Sequence, residues 1–165
     1  MSGDDAGIQI RIATADDVKP IEAVLRSAFL EYEPCYTSEG FAATTPSAEE
    51  IHQRLSEGLV WVALQGGRIV GTVSAVARGQ ACYVRSMAIF PTARGQRIGT
   101  RLLEKVEQFA RAQGADRLYL STTPFLERAI RLYERCGFQR SEQGPLTLFG
   151  TPLFTMVKLL HAEEG

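Results

Sequence analysis

The stretch "YVRSMAIFPTARGQRIGTRLL", residues 83 to 103, decides how this chain is read. It opens as an apolar run of strand character, turns at Pro91, crosses a cluster of arginine and glycine, and continues at helical spacing. Four arginines and two glycines fall within it, and no acidic residue does. A helix start accounts for that composition. The first backbone N–H groups of a helix have no intrahelical acceptor, and the aligned peptide dipoles place about half a positive charge there. An anion answers both deficits. The turn at 94–96 would present successive amides, while Gly99 keeps a side chain away from the helix backbone. Arg94, Arg97 and Arg101 add charge over the same turn and a half. This is the physical form of a diphosphate site. By itself the run also suits a tight turn with a solvated basic face, because a short glycine motif is weakly specific. It carries neither the GxxxxGK[ST] of a Walker loop nor the GxGxxG of a dinucleotide fold.

Composition bounds the alternatives. At 165 residues, 45% hydrophobic and 22% charged, the chain is expected to form one domain over 1–165, with its core over about 8–160. Eighteen basic against nineteen acidic residues leave a net charge of -1, so a positive surface must be local and a nucleic-acid partner is disfavoured. Cys35, Cys82 and Cys136 have no metal-ligand spacing and do not suit a disulfide framework. No metal is therefore expected, and a reducing, cytoplasmic setting fits best. No apolar run reaches the roughly 20 residues that span a bilayer, and the polar start lacks the pattern of a signal peptide, so no membrane partner is expected. His52 and His161 have no partners in the sequence that would make either catalytic.

Working outward, "IQIRIA" at 8–13 alternates as a strand, and Thr14 stands as N-cap of a helix beginning near Ala15 and running to about Leu30. The segment 31–46, "EYEPCYTSEGFAATTP", has neither period and reads as a long irregular loop. Ser47 and Glu50 form a capping box for a short helix ended by Gly58. "LVWVAL", "RIVGTVSAVA" and "ACYVRSMAIF" are strands joined by short turns, hence antiparallel. Ile98, Leu102, Leu103, Val106, Phe109 and Ala110 mark a helix, "RLYLST" a strand, and "PFLERAIRLYERCG" a second helix. Strand, helix, strand in that order predicts a parallel pair at 81–90 and 117–122. "FQR" and "LFTMVKLL" close the sheet, the latter as an edge strand through which two copies could form a homodimer.

The run 83–138 resembles the signature region of the GNAT superfamily of N-acetyltransferases. "RGQRIG" at 94–99 is similar to that family's [Q/R]xxGx[G/A] helix start, and "LYERCGF" at 132–138 to its LYxxxGF. The order of elements over about 8–160 agrees as well. The resemblance implies an α+β domain, layered αβα: a mixed, mostly antiparallel sheet of about six or seven strands, a splayed parallel central pair, and helices on both faces. It implies acetyl-CoA as co-substrate. Met87, Ala88 and Ile89 would hold the pantetheine arm, and Arg94, Gly95, Gln96, Arg97, Ile98, Gly99 and Thr100 the diphosphate. Tyr133 would protonate the leaving thiolate. Two departures stand out: Arg97 occupies a position that is usually glycine, and Leu126 one that is often asparagine. Glu31, Tyr32, Glu33 and Tyr36 fall in the segment that borders the acceptor in such folds, where acidic and aromatic groups would suit a cationic amine. The expected activity is direct transfer of an acetyl group to a small-molecule or peptide amine in a ternary complex. A CoA-binding sensor or interaction module of the same fold is the alternative, since fold does not fix function, and a larger acyl group would depend on cavity depth. The general base and the acceptor have no readable motif.

Overall fold

Alternating apolar positions become strands and three-to-four spacing becomes helices in the order the sequence predicts. The computed structural model describes residues 7–141 and 146–160. Among these, β1 (Ile8–Ile12), α1 (Val18–Phe29), α2 (Ser38–Thr44) and α3 (Ala48–Arg54) lead into the meander β2 (Leu59–Gln65), β3 (Arg68–Arg78) and β4 (Ala81–Ile89). Then come α4 (Ile98–Ala112), β5 (Arg117–Thr122), α5 (Glu127–Arg135), β6 (Gln139–Arg140), β7 (Leu146–Leu148) and β8 (Thr151–Leu159). His161 lies outside the described residues.

The strands form one sheet in the order β1, β2, β3, β4, β5, β8, β6, with β7 paired to β8. Every neighbouring pair is antiparallel except β4 and β5, which run parallel. This is a single α+β domain with helices on both faces. Leu102, Val106 and Ala110 of α4 pack with Val73, Val84, Leu118 and Leu120 on one face of the sheet. Ile21, Val24 and Leu25 of α1 join Ile51, Val60 and Val62 on the other. Burying such side chains stabilises the fold by about 1.5–3 kcal/mol each relative to leaving them exposed.

Three expectations change. The segment 31–46 is structured: a 3-10 turn covers Leu30–Cys35 and α2 follows it. Its order comes from tertiary contacts, which no local period records. Tyr36 packs edge-on against Phe125 with ring centroids 4.8 Å apart, and the Thr37 hydroxyl both caps α2 at the Gly40 N–H (3.0 Å) and donates to the Phe149 carbonyl (2.8 Å). The C-terminal strand is not an edge. β5 pairs along one side of β8, and among the described residues β6 and β7 pair along much of the other.

The start of α1 also differs. Residues Ala15–Asp17 form a 3-10 turn before α1, with Thr14 as its N-cap residue as expected and the Asp17 carboxylate reaching back to it in a capping box. That carboxylate accepts from the Thr14 N–H (2.8 Å) and takes Arg11 at both oxygens (2.7 and 3.0 Å). The Arg11 hydrogen bond holds the Asp17 carboxyl below its ordinary range, against the opposing effect of burial. A carboxyl lowered in the folded state stabilises the fold above its unfolded value of about 3.9, and that stability is lost as pH falls through the folded value. Asp17→Asn is therefore expected to destabilise the protein by about 1–2 kcal/mol at pH 7, with the difference from wild type shrinking as pH falls below the unfolded value of about 3.9 in denaturant titrations.

Candidate active site

The parallel ladder between β4 and β5 is short. It pairs Ala81 with Arg117, Cys82 with Leu118 and Tyr83 with Tyr119, and beyond that point the strands diverge. On its other side β4 pairs with β3 as far as Ile89, with a register shift between Thr72 and Ser74. Two residues of β4, Ser86 and Met87, thus oppose the single residue Val73, and Ser86 adopts a left-handed φ of 55°. This is a β-bulge, which bends a strand and redirects its side chains. Because the ladder to β5 ends at Tyr83, the β5-facing backbone edge of 84–89 has no strand partner among the described residues.

A cleft of about 620 Å³ occupies the divergence. Met87, Ala88 and Ile89 line it from β4, Arg94, Gly95, Arg97, Ile98, Gly99 and Thr100 from the turn and the start of α4, and Leu126, Ala129, Leu132 and Tyr133 from α5. Ala28, Phe29 and Tyr32 line it from the α1 side, so the cleft passes between the strands from one face of the sheet toward the other.

The turn before α4 has the required form. Its first intrahelical bond runs from the Arg101 N–H to the Arg97 carbonyl (3.1 Å), which leaves the amides of Ile98, Gly99 and Thr100 without an intrahelical acceptor. Among the described residues no side chain caps this helix. Arg97 is the N-cap residue, at φ 61° and ψ 18° in the left-handed region, and Gly95 has φ 88°. A non-glycine residue there carries strain of about 1–2 kcal/mol, which is the physical reason a glycine suits the position. Gly99 serves packing: a Cβ on it would lie 2.6 Å from the end of Leu132 and 3.3 Å from that of Ile89, so its absence lets α4 close on the cleft wall.

The predicted residues separate by role. The Gln96 side chain points away from the cleft and pins the turn, accepting from Gln65 (2.7 Å) and donating to the Ala93 carbonyl (3.1 Å). Arg94 faces the cleft and is held by Glu31 at 2.7 Å, so the acidic segment is tied to the basic turn. Tyr32 lines the cleft beside Phe125, Tyr36 is buried between Phe41 and Phe125, and Glu33 is exposed. Tyr133 is 7% exposed on the inward stripe of α5. Burial, reinforced by Tyr36 and Cys136, raises its hydroxyl well above the usual tyrosine range, which keeps it a proton donor at neutral pH. Burial likewise pushes Tyr36 up to about 12.

Some site residues left no sequence motif. Arg128 and Arg135 add two cations to the cleft from α5, and Ala28 and Phe29 come from the end of α1. No carboxylate and no histidine is among the described residues lining it. Among the described residues there is no grouping of His, Cys, Asp and Glu suited to a metal ion, and no helix is long and apolar enough to cross a membrane.

Comparison with known proteins agrees with this geometry. The family model described as the acetyltransferase (GNAT) family matches residues 22–138. An uncharacterized N-acetyltransferase, YjgM, of Escherichia coli is 30% identical over 136 residues, covering 79% of this chain and 81% of its own. An aminoalkylphosphonate N-acetyltransferase of Salmonella typhimurium is 30% identical over 141 residues, covering 81% and 86%. An IAA acetyltransferase of Azospirillum brasilense is 38% identical over 91 residues, and there the chain spans only 58% of the relative. In three dimensions, PaiA N-acetyltransferase of Thermoplasma acidophilum, solved with coenzyme A, superposes with a TM-score of 0.80 at 18% identity, covering 97% of this chain and 100% of its own. With the parallel pair diverging at an uncapped helix start, and with a family model spanning both features, the chain belongs to the GNAT family of acetyltransferases.

Proposed function

We propose that the protein is an N-acetyltransferase that moves the acetyl group of acetyl-CoA directly to the amine of a small molecule within a ternary complex. One observation carries this reading: a single cleft joins an uncapped helix start, an unpaired strand edge and a buried tyrosine. Acetyl-CoA supplies an acyl group activated as a thioester and a thiol as leaving group. Among the described residues four arginines and no acid line the cleft, which suits a ligand of several phosphates. A relative named for aminoalkylphosphonates supports a small acceptor over a peptide.

Each residue then has a task. The amides of Ile98, Gly99 and Thr100, with Arg94 and Arg97, bind the diphosphate. The backbone N–H and C=O groups that the 87–89 stretch turns toward β5, beyond the last β4–β5 pair, bind the amides of the pantetheine arm. The amine nitrogen attacks the thioester carbon, the C–S bond breaks, and the Tyr133 hydroxyl gives its proton to the departing sulfur. With no carboxylate or histidine among the described residues lining the cleft, the amine loses its proton to water. The buried tyrosine favours an enzyme over a CoA sensor, which has no use for a proton donor there. Three unbridged cysteines are in keeping with a cytoplasmic setting.

Three outcomes test this. Tyr133→Phe is expected to lower kcat by about 100-fold or more while calorimetry finds CoA still bound; an unchanged kcat would remove Tyr133 from the mechanism. Because the acid is held protonated and the amine must be neutral, kcat/KM should rise with pH toward the amine's own pKa of about 10, with no falling limb below it. A bell-shaped profile descending near pH 8 contradicts that assignment. Arg97→Gly should weaken CoA binding severalfold while changing stability by less than about 1 kcal/mol, since relief of the left-handed strain offsets the greater freedom of the unfolded chain.

A further inference from the structure

On the sheet face opposite α4 and α5, a second polar cluster stands beside the cleft. Arg54, the last residue of α3, donates to the Ser86 hydroxyl at the β4 bulge. Ser86 directly precedes Met87, which lines the cleft. Arg85 pairs across the sheet with Ser74, and its Nη2 donates to Glu57. The Arg85 Nε and the Ser74 hydroxyl are closed off and have no hydrogen-bond partner among the described residues. The Arg85 fork is therefore half used: a planar oxyanion engages the Nε and Nη2 edge together, whereas Glu57 meets only Nη2. Glu57 is itself 45% exposed and free to give way.

Charge at this cluster is unbalanced. Arg54 is partly desolvated and feels the positive charge of Arg85, and both lower its pKa; Glu50 and Glu57 only partly oppose this. Glu50 is engaged in capping α3. Arg78, stacked on Tyr83 at 5.0 Å, adds a third cation. The Tyr83 and Tyr119 rings, stacked at 5.1 Å, mark where the strands part. The diphosphate turn occupies the α4 side of the cleft, so an acceptor must enter from the other face, where this cluster lies. Glu31, on the segment after α1, is committed to Arg94.

We propose that the acceptor amine carries an oxyanion, a carboxylate or a phosphonate, and that Arg54 and Arg85 hold that group beside the β4 bulge. This rests on the acetyltransferase reading and narrows its substrate class: amines with an anionic end are preferred, and polyamines and other purely cationic acceptors are excluded.

The test is thiol release from acetyl-CoA with matched amines: an amino carboxylate and its amide, an aminoalkylphosphonate and its diester. These are compared in wild type, Arg54→Gln, Arg85→Gln and Arg54→Lys, with the affinity for CoA measured by calorimetry. The anionic member of one or both pairs should be favoured in kcat/KM, and that preference should fall by about 10- to 100-fold in either glutamine variant, chiefly through KM, with partial return in Arg54→Lys. Which pair responds identifies the oxyanion. Equal turnover of charged and neutral members, or equal loss of both in the glutamine variants, overturns the inference and leaves the acetyltransferase reading intact. If no amine is turned over, thermal shifts with CoA present decide: stabilisation by the anionic amines alone supports the inference, and its absence overturns it. Failure of CoA itself to bind overturns the acetyltransferase reading, and the inference with it.

Discussion

The structure depends on the early end of one parallel ladder. β4 and β5 share three register pairs and then part. Backbone groups buried without partners cost about as much as a lost hydrogen bond each, so a gap in the middle of a sheet persists only where something else meets them. Here the gap is built from several directions. The bulge at Ser86 and Met87 turns β4, the aromatic contacts of Tyr32 and Tyr36 with Phe125 fix the segment after α1 beside it, and α5 sets Tyr133 into it. The same divergence opens the cleft, frees the strand edge and brings the start of α4 to its mouth.

Stability and function meet at the turn 94–97. Gln96 anchors the turn to β2 through Gln65, Arg94 is held by Glu31, and Arg97 stands in a left-handed conformation that glycine would adopt more easily. Strain at such a point persists because the surrounding contacts over-determine it. In return the amides that follow all face one way, and a cation sits where a phosphate would come. The ion pair from Arg94 to Glu31 also links this turn to the segment after α1, so the two ends of the cleft are mechanically joined.

The sequence carried the fold where its periods are long. The meander of β2, β3 and β4, the amphipathic α4 and α5 and the parallel pair were readable because each element buries one face and repeats it over several turns or alternations. The uncapped start of α4 was readable because its residue types and its place after a strand follow from backbone electrostatics. What could not be read depends on contacts distant in sequence. Helix α2 is seven residues long and is pinned through Thr37 to residues more than a hundred positions away. Whether β8 lies at an edge depends on where the short β6 and β7 dock. Within the site, Arg128 and Arg135 look like solvated helix residues until α5 is set against the cleft. Glu31 has a partner, Arg94, that lies sixty-three residues further along the chain and that no local pattern reveals.

The central claim is that unpaired amides at the start of α4 and along β4 hold the co-substrate. Backbone amide resonances followed during a coenzyme A titration test it most directly. The account predicts the largest perturbations at Ile98, Gly99 and Thr100, with a second group at Met87, Ala88 and Ile89. Saturable binding that leaves those six amides unmoved while perturbing another surface would contradict it.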